Sequence, residues 1–136
     1  MKASDLFVKC LEEEGVTRIF GVPGEENADF MISLKQSKKI EFILCRHEQA
    51  AAFMADAYGR LTGKAGVCLS TLGPGVTNLM TGLADANMDR SPVVAIIGQG
   101  STNRLHKESH QIMDSISMVH PISKWAQTIL SPKNIT

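Results

Sequence analysis

A chain of 136 residues has the length of one ordinary domain. Hydrophobic residues at 43% against 21% charged exclude a disordered or fibrous chain. Fourteen Lys/Arg balanced by fourteen Asp/Glu leave no basic footprint for nucleic acid.

No stretch approaches the roughly 18 unbroken apolar residues of a membrane span. Residues Met1 to Phe7 carry no apolar signal core and begin an amphipathic helix instead. Cys10, Cys45 and Cys68 are far apart, with neither zinc nor disulfide spacing, and each sits among apolar residues. Buried free thiols in a reducing, cytoplasmic setting are the expectation, with no metal site.

The first helix is marked by Ala3, Leu6, Phe7, Cys10 and Leu11 at helical spacing, with Ser4 or Asp5 to cap its start and Gly15 its end. Residues 18–22 read as a buried strand closed by the turn Pro23, Gly24. A helix is expected from Glu25 to about Leu34, with Asn27 or Asp29 in its first turn. Then follow a strand at 40–45, a helix at 47–61, a strand at 66–71, a helix at 76–88 and a strand at 93–98. The strands at 66–71 and 93–98 are continuous apolar runs, as in a parallel sheet covered on both faces. The expected fold is therefore an α/β, doubly wound, mostly parallel sheet flanked by helices, with ligands bound at the strand carboxyl ends.

Three strand-to-helix turns lie there: residues 21–26, 46–49 and 71–78. Gly73 and Gly75 lack the third glycine of a dinucleotide fingerprint, because Asn78 stands in its place. Gly63 and Lys64 are followed by Ala65, so the phosphate-binding Gly-Lys-Ser/Thr signature is missing too.

The helix after the second turn carries more information. Ala50, Phe53, Met54, Ala57, Tyr58 and Leu61 form one apolar face, while Gln49, Asp56 and Arg60 form a narrow polar stripe. The side that begins at Glu48 continues through Ala51, Ala52 and Ala55. A helix apolar on two sides is buried on two sides, so Glu48 is expected to face an interface or a cofactor. The macrodipole alone favours an acidic residue in a first turn by ~0.3–1 kcal/mol. Burial among alanines asks for more, because a buried carboxylate requires a specific partner.

The stretch from Arg46 to Gly63, together with Gly21 to Gly24, Gly73 to Asn78 and Gly82 to Ala86, resembles the pyrimidine-binding domain of thiamine-diphosphate enzymes of the acetolactate synthase and pyruvate oxidase group. The resemblance covers residues 4 to 130. It implies that Glu48 hydrogen-bonds N1′ of the cofactor's aminopyrimidine and favours its imino tautomer. It also implies that Val22, Pro23, Gly24 and Glu25 approach the thiazolium and the substrate, and that Thr71, Pro74, Gly75 and Asn78 surround the aminopyrimidine. His110 and Gln111, before Pro121 to Lys124, look like the catabolic, flavin-independent acetolactate synthases, where such a pair lies near the reacting ketone; FAD is not expected. Their other reading is capping and solvation of a short helix, just as Arg104, His106 and Lys107 read as a solvated basic loop.

Enzymes of this group are several times longer, and their central and diphosphate-binding domains, the latter holding Mg2+, have no counterpart in residues 1–136. The expectation is an incomplete pyrimidine-binding domain, inactive alone, from a homodimeric or homotetrameric enzyme that decarboxylates pyruvate and joins the product to a second pyruvate. Trp125 to Leu130 reads as a late strand, and residues 131–136 as the start of a further helix. The alanine face and Gly82 are expected to lie at the subunit interface. Rival readings are another thiamine-diphosphate 2-keto acid decarboxylase or acetyltransferase, a non-catalytic assembly domain, and a Rossmann-like nucleotide binder.

Overall fold

A computed structural model describes residues 1–105 and 107–136. Chain order runs α1 (Ala3–Glu13), β1 (Arg18–Gly21), α2 (Ala28–Gln36), β2 (Glu41–Leu44), α3 (Glu48–Thr62), β3 (Gly66–Ser70), α4 (Pro74–Met88), β4 (Val93–Ile97) and α5 (Ser115–Val119). The four strands form one parallel sheet in the order β2-β1-β3-β4. Val8, Leu11, Phe30 and Leu34 of α1 and α2 pack on one face with Ile19, Val67 and Leu69. Ala51, Ala52, Ala55 and Leu79 of α3 and α4 pack on the other with Phe20 and Cys68. The expected doubly wound α/β architecture is present, and its winding reverses between β1 and β3.

That reversal has a firm floor. Ile19, Leu69, Leu72, Val76 and Leu79 are each fully buried, worth about 1.5–3 kcal/mol apiece relative to exposure. Cys68 lies among them, and burial pushes its thiol up to about 12. All three cysteines are free thiols.

Several expectations are corrected. The alanine face is not an outer surface: Ala51, Ala52 and Ala55 are wholly buried within the chain, against the sheet and α4. The larger residues of α3 face outward, with Phe53 37%, Met54 45% and Leu61 86% exposed. The reason is space, because α3 packs against α4, β3 and β1 at once and only small side chains fit between them. The β4 strand is not covered on both faces. It pairs only with β3 among the described residues, and Val94 is exposed.

Residues 125–130 form no strand; they lack a ladder partner, and Trp125, Ile129 and Leu130 are exposed. Residues 132–134 make only a short 3-10 turn. Helix starts also differ: α4 begins at Pro74, two residues before the expected Val76, and α3 at Glu48, one after His47. Lys2 caps α1, with Asp5 accepting its backbone N–H at 2.9 Å, and Glu25–Asn27 is a 3-10 turn before α2. No helix among the described residues is long and apolar enough to cross a membrane.

Candidate functional site at the β1/β3 crevice

The chain returns three times to the carboxyl edge of the sheet, at the turn after β1, the start of α3 and the turn from β3 into α4. In this architecture ligands bind in the crevice at such a reversal.

Glu48 opens α3. His47 is the N-cap, its Nδ1 accepting the Gln49 N–H at 3.1 Å, so the next residue takes the first helical position and is favoured there when acidic. The alanines following at helical spacing turn this face inward, and Glu48 is left only 8% exposed. Asn78 of α4 donates from Nδ2 to Glu48 Oε2 at 2.9 Å. No donor reaches Oε1 among the described residues, and this oxygen lies beside Gly75, 3.5 Å from where a Cβ on that glycine would stand. A buried carboxylate with one oxygen pinned and one unmatched suits a ligand bringing an N–H or a protonated ring nitrogen.

The turn from β3 to α4 supplies the wall. Gly73 has a φ of 58°, the left-handed region that glycine enters without penalty, and Pro74 follows at the first helical turn. A Cβ on Gly75 would lie 3.1 Å from Thr71 Cγ2 and 3.3 Å from Ser70 Cβ. Thr71 also abuts Gly24, where a Cβ would stand 2.4 Å from the Thr71 Cβ. The turns after β1 and β3 therefore touch through one threonine side chain.

Of the residues expected at the site, Gly24, Glu48, Thr71, Gly75 and Asn78 come together. Val22 is half-buried and donates from its backbone N–H to Leu69 O at 3.2 Å, fixing the turn to β3. Pro23, Glu25, Pro74 and His110 are exposed around this edge. Gln111, at a φ of 55°, meets the site through its backbone; its carbonyl oxygen lies 2.7 Å from where a Cβ on Gly73 would stand. Arg104 donates to Ser109 Oγ at 3.1 Å and Lys107 is exposed, while His106 lies outside the described residues.

Two residues of the first turn were missed. Glu26, not Glu25, reaches inward, its Oε2 accepting from Thr71 Oγ1 at 3.4 Å. Asn27 is buried and closes the turn on itself: its Oδ1 accepts the Gly24 N–H at 2.9 Å and its own N–H donates to Gly24 O at 3.3 Å. The spacing Gly24–Asn27 was the available signal, since an Asn three residues on can close such a turn. Among the described residues no group of three or more His, Cys, Asp or Glu is placed to hold a metal ion.

Residues 1–118 match the family model for the thiamine pyrophosphate enzyme, N-terminal TPP binding domain. The chain belongs to this family. It is 46% identical over 134 residues to an acetolactate synthase of Bacillus subtilis (98% of this chain, 23% of that protein). It is 48% identical over 123 residues to a catabolic acetolactate synthase of Raoultella terrigena (90% and 22%). With the chloroplastic acetolactate synthase 2 of Nicotiana tabacum it shares 40% over 134 residues (98% and 20%). The chain thus spans between a fifth and a quarter of the length of these relatives.

Proposed function

We propose that residues 1–136 are the pyrimidine-binding part of an acetolactate synthase, which decarboxylates one pyruvate and joins the two-carbon product to another. The observation that carries this reading is the buried Glu48 carboxylate, with Oε2 held by Asn78 and Oε1 left without a donor beside Gly75. The residues fit thiamine diphosphate, because Glu48 Oε1 has no donor among the described residues and can meet a ring nitrogen, while Gly24 and Gly75 let the turns after β1 and β3 close together around Thr71 beside it. When bound, this cofactor supplies the electron sink for decarboxylating a 2-keto acid.

The chain's own residues bind and orient. Glu48 Oε1 would share a proton with the pyrimidine ring nitrogen, while Asn78 holds Oε2. Thr71, Pro74 and Gly75 would line the ring, with Asn78 at its edge. Val22, Pro23, Gly24 and Glu25 would border the thiazolium side, and His110 and Gln111 at the rim would face the keto acid. Mg2+ and the diphosphate are held by a part of the enzyme beyond these residues, and no FAD is required. The length of the relatives supports this division. The free thiols support a cytoplasmic enzyme, and the outward apolar face of α3 supports a homodimer or homotetramer.

Calorimetric titration with thiamine diphosphate and Mg2+, run beside NAD and ATP, tests the reading. The full-length enzyme is expected to bind thiamine diphosphate alone, with Glu48→Ala weakening it about tenfold. The 136-residue chain by itself is expected to form no acetolactate from pyruvate. Saturable NAD or ATP binding without thiamine diphosphate binding would overturn the reading, as would acetolactate formed by the 136-residue chain.

A further inference from the structure

Helices α3 and α4 run side by side, and their contacts recur one turn apart. At the carboxyl edge of the sheet Asn78 donates to Glu48 at 2.9 Å. Four residues further along each helix Gly82 meets Ala52, where a Cβ on Gly82 would stand 2.5 Å from the Ala52 Cβ and 3.1 Å from the Phe53 backbone nitrogen. At the far end Arg60 binds Asp56 of its own helix at 2.7 Å, and crosses to Asp85 at 2.9 Å and to Asp89. Because a helix advances about 5.4 Å per turn, the pairs 48/78 and 52/82 are successive rungs of one seam.

We propose that Asn78 is a positioning residue for Glu48, and that the Gly82–Ala52 contact sets the distance over which it acts. The proposal rests on the reading of Glu48 as the group that meets the pyrimidine ring. A glutamate side chain has three free torsions, and a donor on Oε2 removes most of that freedom before any ligand arrives. The carboxamide nitrogen only donates. Oε2 is therefore kept as an acceptor, and proton sharing falls to Oε1 beside Gly75. Asn78, expected from the resemblance to line the aminopyrimidine, acts through Glu48.

The bond needs the helices close, and closeness is decided one turn away. An alanine at 82 would place two methyl carbons 2.5 Å apart, well inside contact distance, against backbone that cannot swing aside. The helices must then part at that rung, while the Arg60 clamp still holds their other ends. Parting at 52/82 lengthens 48/78 first.

Nitrogen-15 nuclear magnetic resonance of the ligand-free full-length enzyme reads the bond directly. One Asn78 side-chain amide proton is expected downfield and slow to exchange, and Glu48→Gln moves it. Gly82→Ala shifts it toward the position of a solvated amide, and Ala52→Gly added to Gly82→Ala brings it part of the way back, because the 2.5 Å methyl contact is gone while the backbone contact at Phe53 stays. With thiamine diphosphate bound, Asn78→Ser is expected to slow deuterium exchange at the cofactor's C2 about tenfold, while its dissociation constant changes less than about threefold. An Asn78 amide unmoved by Gly82→Ala, or an Asn78→Ser enzyme that exchanges C2 at the wild-type rate, would overturn the proposal. If Asn78→Ser does not fold, the seam pair decides. Exchange must fall in Gly82→Ala and recover in part in the double variant, and equal rates in all three proteins refute the proposal. An enzyme that binds no thiamine diphosphate contradicts the functional reading instead, and the ligand-free amide spectra still decide the seam.

Discussion

Glu48 is buried by its helix neighbours: the alanines after it turn its face inward, and Asn78 supplies the one donor that a carboxylate in that position requires. Gly75 is the other residue on which the crevice depends. Its missing side chain leaves Thr71 and Ser70 at the edge of contact and keeps Glu48 Oε1 open. Gly75→Ala is expected to cost about 1 kcal/mol in urea unfolding, the low end of overpacking because the neighbours need give only a little. The same change should weaken thiamine diphosphate more than it weakens the fold; a variant with unaltered cofactor affinity would mean that the ring does not approach this backbone. Glu48 was legible in the sequence because an acid that begins an alanine-lined helix is chemically odd. Glu26 and Asn27 were not, because a single 3-10 turn decides which member of an acidic pair points inward, and no periodicity records such a turn.

Among the elements, α3 holds the sharpest disagreement. Its sequence is apolar on two sides, so burial is expected both at Phe53, Met54 and Leu61 and along the alanines. Only the alanine side is buried, because α3 is wedged between the sheet and α4, and between its buried Glu48 and Asp56 the close contacts are made by alanines. The helical period was readable, whereas the direction of burial depended on what packs against it. The far end of α3 has a pH dependence of its own. Hydrogen bonds from Arg60 first, with a smaller contribution from Ser91, hold the Asp56 carboxyl below its ordinary 3.8 despite burial. A depressed folded-state value means that the stabilisation is complete above the unfolded value and disappears as pH falls through the folded one. As pH falls below about 4 the wild type should therefore lose more stability than Asp56→Asn, measured as the shift in urea midpoint. Parallel loss in both proteins would exclude this pair as a source of acid lability.

For the molecule as a whole, the strand order puts the winding reversal between β1 and β3, and the site follows from it. Alternating apolar strands and amphipathic helices made that architecture legible in outline. The strand expected at 125–130 was not formed, since an apolar run becomes a strand only beside a partner. Phe53, Met54 and Leu61 leave apolar surface on the outer side of α3. Sedimentation of the full-length enzyme should show a dimer or tetramer that Phe53→Glu with Leu61→Glu dissociates. A wild-type monomer at high concentration would contradict this.

The most direct measurement is deuterium exchange at C2 of thiamine diphosphate bound to the full-length enzyme, wild type against Glu48→Gln. Glutamine keeps the shape of the side chain but cannot share a proton through Oε1. Exchange is expected to slow by about a hundredfold in the variant while the cofactor remains bound. Equal exchange in both proteins, with equal occupancy, would contradict the role assigned to Glu48.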